Sequence, residues 1–189
     1  MSILRSGVFI DRDGVINVNR SNYVKSWDEF TFEAGVFEAL KCLAQTNLAI
    51  VIVSNQSAIG RGLVEKDTVE EIHKRMVEVI SQNGGRIDAV YYCPHRPEEG
   101  CTCRKPRPGL LRQAALELDL DLSRSYFIGD AISDVEAALA AGCMPLFVQT
   151  GLGSEQYERL VEKGLDHIRL FPDLMGAVDF ILELNPGYR

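Results

Sequence analysis

The sequence lacks any apolar run that approaches membrane-spanning length, and it has no internal repeat, linker or low-complexity segment. Residues 1–7 are too short and too polar for a secretion signal, so we expect a cytoplasmic protein. Basic residues are a minority, because 20 Lys and Arg stand against 27 Asp and Glu and give a net charge of −7. This balance argues against a broad nucleic-acid or membrane-binding surface, although a local basic pocket for an anion remains compatible with it.

Cysteine is sparse, with five residues in 189, but three of the five fall between positions 93 and 103. Thiols stay reduced in the cytoplasm, so this clustering favours a metal site over a disulfide framework. Hydrophobic residues make up 46% of the chain and charged residues 25%, which is typical of a globular protein. We expect a single domain over residues 1–189, and a monomer.

Apolar runs and helical periodicities alternate along the chain. The pattern predicts strands at 7–10, 48–53, 89–92, 126–128 and 145–148, with a short one near 167–170. It predicts helices at 35–45, 67–82, 135–141, near 155–163 and at 174–184, and one after Pro108 and Gly109. Asp67 and Glu70 form a capping-box-like start for the helix at 67–82. Such alternation indicates an α/β fold with a Rossmann-like parallel sheet and helices on both faces.

Polar clusters follow four of the predicted strands. Asp11 and Asp13 follow the first strand, and residues 54–57 (Ser-Asn-Gln-Ser) follow the second. The remaining two clusters are Arg104 with Lys105, and Asp130 with Asp134. The carboxyl ends of parallel strands lie along one edge, so these groups should meet in one crevice. Two carboxylates held close together repel each other unless one is protonated or a cation lies between them. Acids, a lysine and small hydroxyl donors around magnesium are what phosphoryl transfer requires.

A second cluster indicates zinc. Cys93, His95, Cys101 and Cys103 offer three thiolates and one imidazole, which is a complete tetrahedral ligand set. With four protein ligands the site should be closed and structural. The sequence assigns no chemistry to the other cysteines and histidines: Cys42 and Cys143, which suit the core, His73, which is predicted to face the surface of its helix, and His167.

The four strand-end clusters, in this order, resemble the motifs of haloacid dehalogenase superfamily phosphatases. The resemblance runs from Val8 to Gly151 and implies that Asp11 is a nucleophile that forms a phosphoaspartyl intermediate. It implies that Asp13 is the general acid and base. Ser54 and Lys105 would bind the transferring phosphoryl group. Magnesium would be held by Asp11, the backbone carbonyl of Asp13, and Asp130, with Asp134 outside the ligand set or acting as a charge at a helix N-terminus.

The zinc loop, residues 93–103, is similar to that of two groups within this superfamily, and no large cap domain is expected. One group removes the C7 phosphate of D-glycero-D-manno-heptose 1,7-bisphosphate, and the other hydrolyses histidinol phosphate. We favour the first, with a small phosphorylated sugar as substrate, and keep as alternatives the second and a non-enzymatic regulator that binds phosphate or magnesium. The expected substrate contacts are Asn19, Arg20, Asn22, Asn55, Gln56, Ser57 and Arg104.

The sequence departs from the first group at one position that bears on the substrate. Ala131 follows Gly129 and Asp130, where many members carry a lysine. If that lysine binds the distant phosphate, Ala131 weakens substrate binding or shifts anomer preference. Val15, in place of a common threonine, is a minor change.

Overall fold

The computed structural model describes residues 4–186. Its centre is one six-stranded sheet in the order β3-β2-β1-β4-β5-β6, and every strand pairing is parallel. The strands are β1 (Gly7–Ile10), β2 (Ala49–Asn55), β3 (Ala89–Cys93), β4 (Tyr126–Gly129), β5 (Met144–Val148) and β6 (Arg169–Phe171). The predicted parallel α/β fold is confirmed, and β1 lies between β2 and β4 near the middle of the sheet.

The described residues contain seven α-helices, of which the first six lie between strands and the seventh follows β6. They are α1 (Val36–Ala44), α2 (Ser57–Gly60), α3 (Lys66–Gln82), α4 (Gly109–Glu117), α5 (Ile132–Ala141), α6 (Gly153–Glu162) and α7 (Leu174–Leu184). The single turn of α2 has no counterpart in the sequence prediction. None of these helices is both long enough and apolar enough to cross a bilayer.

The start of α3 differs from its prediction. The N-cap is Glu65, whose side chain makes no capping hydrogen bond, so the predicted capping box of Asp67 and Glu70 is wrong. Glu70 Oε1 instead accepts a hydrogen bond from the Tyr92 hydroxyl at 2.8 Å. Asp67 lies in the first turn, where its negative charge interacts favourably with the helix dipole without bonding to a backbone amide.

Alternation along the strands divides the main core into two layers. Val8 and Ile10 pack on one side, against α1, α3 and α7, whereas Phe9 packs on the other side, against α4 and α5. Both faces of the central strands are therefore buried, which explains why their sequences are continuous apolar runs.

The segment between β1 and α1 packs as part of the core. Trp27 and Phe30 stack with ring centroids 5.0 Å apart, and Phe32 meets Phe30 edge-on at the same distance. These aromatic residues contact the buried cluster formed with α1 and α7. No large cap domain covers the strand ends within residues 4–186, as expected.

Candidate active site

The predicted catalytic and magnesium-binding residues meet in a crevice at the carboxyl ends of β1, β2 and β4. A cavity of about 150 Å³ lies there. It is lined by Asp11, Asp13, Asn19, Ser54, Asn55, Lys105, Asp130, Ala131, Ser133 and Leu152. Three of the four strand-end clusters thus reach the cavity through their charged groups, and the cluster after β2 reaches it through Ser54 and Asn55.

Lys105 is buried at the centre of this site. Its Nζ lies 2.8 Å from Asp11 Oδ1 and 2.7 Å from Asp134 Oδ1, and it donates a hydrogen bond to the Val53 carbonyl at 3.0 Å. Burial lowers the pKa of Lys105, but attraction to the two carboxylates outweighs burial and raises the pKa above its usual value. The site therefore contains a fixed positive charge beside Asp11.

Asp11, Asp130 and Asp134 form a buried acidic cluster. One oxygen of each carboxylate lies within 4.8 Å of the others. Burial raises the pKa of Asp11 to about 7, despite the opposing effect of Lys105, and burial together with the neighbouring carboxylates raises the pKa of Asp130 well above its usual value. Such a set fits Mg²⁺, because hard carboxylate oxygens are its preferred ligands and a cation would relieve their repulsion.

Asp134 is already engaged within this cluster. Besides its ion pair with Lys105, its Oδ2 accepts a hydrogen bond from the Ala131 amide at 3.1 Å, at the start of α5. Both oxygens of Asp134 are therefore already in contact with protein groups.

Two glycines and one amide fix the Asp130 carboxylate. Gly14 has φ +91° and Gly151 has φ +56°, and a Cβ atom on either would lie about 2 Å from Asp130 Oδ2. The same oxygen accepts a hydrogen bond from the Leu152 amide at 2.7 Å. Only glycine provides both the left-handed backbone and the space at these two positions.

Three side chains hold the Asp13 carboxylate. Oδ1 accepts hydrogen bonds from Arg12 at 2.8 Å and Asn17 at 3.0 Å, and Oδ2 accepts one from Gln56 at 2.8 Å. Burial alone would raise the pKa of Asp13, but the Arg12 charge and these hydrogen bonds outweigh burial and lower it. The pKa values of Asp11 and Asp13 are thus shifted in opposite directions, which suits a pair of carboxylates with different roles.

Sequence reasoning missed Arg12 and was wrong about His73. Arg12 is only 1% exposed, and its Nη1 lies 3.0 Å from His73 Nε2 on α3. His73 is buried rather than surface-facing, because α3 turns this side chain toward the start of the β1–α1 segment. The position of Arg12 between two predicted catalytic aspartates could have indicated that it belongs to the site. Nothing in the sequence indicates that it contacts His73, 61 residues away.

The end of β2 is tied both to the segment that carries Lys105 and to the end of β3. The Asn55 side chain accepts a hydrogen bond from the Lys105 amide at 3.1 Å and donates one to the Lys105 carbonyl at 3.2 Å. Gln56 donates to Ser54 Oγ at 2.8 Å, and the Gln56 amide donates to the Cys93 carbonyl at 2.8 Å. These contacts position the serine hydroxyl and the lysine relative to Asp11.

The structure also brings together the four predicted zinc ligands. The three Sγ atoms lie 3.2 to 3.5 Å apart, and His95 Nδ1 lies 3.3 Å from Cys103 Sγ and 3.6 Å from Cys93 Sγ. Burial raises the pKa of Cys93 above its usual value. Four soft donor atoms converging at such distances fit zinc.

The predicted substrate contacts fall into three places. A second cavity of about 140 Å³ shares Asp13, Asn19 and Asn55 with the first, and its other lining residues include Arg20 and Gln56. Arg104 lines a different cavity, beside the zinc loop, and bonds to the His95 carbonyl at 3.5 Å. Asn22 is exposed, and Ser57 is buried at the start of α2. Neither of these two lines the first two cavities, as drawn from residues 4–186.

Comparison with known proteins agrees with this architecture. Residues 102–174 match the HAD-hydrolase-like family, where HAD stands for haloacid dehalogenase. The D-glycero-beta-D-manno-heptose-1,7-bisphosphate 7-phosphatase of Pseudomonas aeruginosa is 38% identical over 179 residues, which is 95% of this chain and 99% of that protein. Its counterpart from Bordetella bronchiseptica is 39% identical over 177 residues, covering 93% and 97%.

The chain belongs to the heptose-bisphosphate phosphatase family of HAD-like hydrolases. A solved structure gives the same result: the D,D-heptose 1,7-bisphosphate phosphatase of B. bronchiseptica, complexed with magnesium and phosphate. It superimposes with a TM-score of 0.88 at 38% identity and covers 95% of this chain and 99% of that one.

Proposed function

We propose that this protein is a magnesium-dependent phosphatase that removes the C7 phosphate of D-glycero-D-manno-heptose 1,7-bisphosphate. The observation that carries the proposal is the buried group of Asp11, Lys105 and Asp130 at the strand ends. Relatives 38% and 39% identical over nearly the whole chain, named for this reaction, support the choice of substrate.

Asp11 is the nucleophile in this proposal. An oxygen of its carboxylate attacks phosphorus, a phosphoaspartyl bond forms, and the bond between phosphorus and the C7 oxygen breaks. Lys105 lies 2.8 Å from Asp11 and would stabilise the negative charge on the phosphoryl oxygens. Ser54, at the end of β2, would donate a hydrogen bond to the same group.

Asp13 transfers the proton in both halves of the reaction. As an acid it protonates the leaving C7 oxygen, and as a base it takes a proton from the water that hydrolyses the phosphoaspartate. Its lowered pKa suits the second half. The first half needs the neutral carboxyl, which is favoured when a negatively charged phosphate lies beside it.

Asp11, Asp130 and the backbone carbonyl of Asp13 would hold magnesium. Bound magnesium supplies positive charge that lowers the pKa of Asp11 and neutralises phosphoryl oxygens. The zinc loop has a separate, structural role, in which Cys93, His95, Cys101 and Cys103 hold zinc and fix the peptide that leads to Arg104 and Lys105.

The two cavities that meet at Asp13 would hold the substrate. The scissile phosphate would lie beside Asp11, and the sugar would extend toward Asn19, Arg20 and Gln56. Ala131 leaves this part of the rim without the lysine that many members carry, so we expect the distal phosphate to depend on arginine side chains such as Arg20.

The nucleophile assignment is tested by Asp11→Asn. Asparagine keeps the shape of the side chain but removes the attacking carboxylate, so we expect release of inorganic phosphate from heptose 1,7-bisphosphate to fall by about 10³-fold or more. Asp179→Asn, an exposed position on α7, is the matched control and should leave the rate unchanged. Turnover retained in Asp11→Asn, with an unchanged circular dichroism spectrum, would contradict the assignment.

The substrate is tested by comparing kcat/KM for both anomers of heptose 1,7-bisphosphate with that for histidinol phosphate. We expect a clear preference for a heptose bisphosphate. A preference for histidinol phosphate would overturn the substrate assignment while leaving the chemistry intact, and magnesium-dependent release from none of the three would favour a binding role.

A further inference from the structure

The buried Arg12 guanidinium connects α3 to the carboxylate of Asp13. Its Nη2 donates to Asp13 Oδ1 at 2.8 Å, and its Nη1 lies 3.0 Å from Nε2 of His73. Nε has no hydrogen-bond partner among the described residues. The orientation of the guanidinium is therefore fixed by its two terminal nitrogens, one on the carboxylate and one on the imidazole.

The chemistry of this contact defines the state of the imidazole. A guanidinium only donates hydrogen bonds, so Nε2 of His73 must accept, and the ring must be neutral with its proton on Nδ1. Burial, and secondarily the Arg12 charge, lowers the pKa of His73 to about 3, which agrees with a neutral ring. The charged and aromatic groups around the His73 ring are Arg12, Asp13 and Tyr92. The centroids of the His73 and Tyr92 rings lie 5.2 Å apart.

We propose that His73 is a positioning residue for the reaction: by accepting a hydrogen bond from Arg12, it orients the guanidinium that holds Asp13 for proton transfer. This inference rests on the proposed function of Asp13. Without an acceptor at position 73, Arg12 Nη1 would be buried and unpaired, which is costly enough to favour rotation of the guanidinium. Asn17 and Gln56, which are uncharged, would then be left to hold the carboxylate.

Leaving-group dependence distinguishes this role from general damage to the fold. A sugar alkoxide is a poor leaving group and requires protonation, whereas p-nitrophenolate departs without a general acid. The parameter kcat/KM reports the steps up to the first irreversible one, which is loss of the leaving group. A defect in Asp13 orientation should therefore reduce kcat/KM for heptose 1,7-bisphosphate more than for p-nitrophenyl phosphate.

The variant His73→Leu removes the acceptor while keeping a buried side chain. We expect kcat/KM for heptose 1,7-bisphosphate to fall by about 30-fold and that for p-nitrophenyl phosphate by less than about 3-fold. His73→Gln, whose Oε1 can replace Nε2 as acceptor, should recover most of the sugar-phosphate activity. If His73→Leu does not fold, His73→Met is a second variant without a strong acceptor.

Tyr92→Phe is the matched control. It keeps the ring that packs against His73 but removes the hydroxyl that bonds to Glu70, so both activities should stay near those of the wild type. Equal losses on the two substrates in His73→Leu, or no loss, would overturn the positioning role. A wild-type protein that releases no phosphate from either substrate would instead contradict the proposed function.

Discussion

Arg12 illustrates how one buried charge can serve two neighbours of the reaction centre. It is 1% exposed, and an isolated charge in such a place would be costly. Its contacts with Asp13 and His73 compensate for the cost of burial. His73, on the other side of Arg12, is neutral. Its protonation in acid would remove the acceptor for Arg12 and place a second positive charge beside it.

The lowered pKa of His73 predicts acid-dependent stability. In the unfolded chain His73 titrates near 6.5, but in the folded protein near 3, so between these values the unfolded state binds more protons. The free energy of unfolding should therefore decrease as pH falls through this range. From pH 7.5 to 5 this contribution amounts to about 2 kcal/mol.

Urea denaturation of the wild type and His73→Gln at the two pH values measures this contribution. The wild type should lose about 2 kcal/mol more than the variant, because glutamine does not titrate. Equal losses would mean that His73 binds a proton as readily in the folded state as in the unfolded one.

At the scale of elements, the zinc loop has little regular secondary structure of its own. Residues 96–100 are exposed, and the loop contains only one short 3₁₀ turn, Pro97–Glu99. The Arg96 amide donates a hydrogen bond to Glu99 Oε1 within this turn, and a metal held by the four converging ligand atoms would add further cohesion. The loop leads directly into Arg104 and Lys105, so its order bears on the active site.

Cys101→Ser should release zinc and destabilise the protein. We expect zinc content well below one per chain and a Tm lower by about 5 °C or more, because serine is a poor zinc ligand. Cys42→Ser, outside the loop, should keep full zinc content. Elemental analysis and thermal denaturation give both quantities, and an unchanged Tm in a zinc-free Cys101→Ser variant would show that the metal is not structural.

The elements show which parts of the structure could be predicted. Apolar runs predict the first five strands, and the sixth, expected around 167–170, lies at Arg169–Phe171; the predicted helix Leu174–Leu184 has its observed bounds. The one-turn helix α2 was missed because four residues carry no periodicity. The cap of α3 was wrong because Glu65, not Asp67, has the extended backbone that precedes the helix. The strand-end groups were predictable because parallel topology places them together, whereas the Arg12–His73 contact depends on the packing of α3.

At the scale of the whole molecule, the two layers share a single sheet. Ile181 on α7 is fully buried in the same layer as Ile10 of β1, and Trp27 packs against that layer. The predicted single domain over residues 1–189 stays a prediction, since residues 1–3 and 187–189 lie outside the described part. A shared sheet nevertheless gives a definite expectation for unfolding.

Unfolding should be one cooperative transition. Far-ultraviolet circular dichroism reports the helices and fluorescence of the only tryptophan, Trp27, reports the β1–α1 segment, so the two midpoints should coincide. Ile181→Ala should lower the free energy of unfolding by about 3 kcal/mol and shift both midpoints together. Two separate midpoints would mean that the segment carrying Trp27 unfolds independently of the sheet.

The paired hydrogen bonds between the Asn55 side chain and the Lys105 backbone have an implication for length variation. The side-chain amide donates one hydrogen bond and accepts one, as the backbone of a neighbouring strand would, and so anchors Lys105 to the end of β2. The spacing between His95 and Cys101 can consequently vary while the lysine keeps its place, provided that the four zinc ligands still converge. Insertions into the exposed stretch 96–100 should be tolerated without moving Lys105 relative to Asp11, which leaves this stretch free to diversify at the rim of a fixed reaction centre.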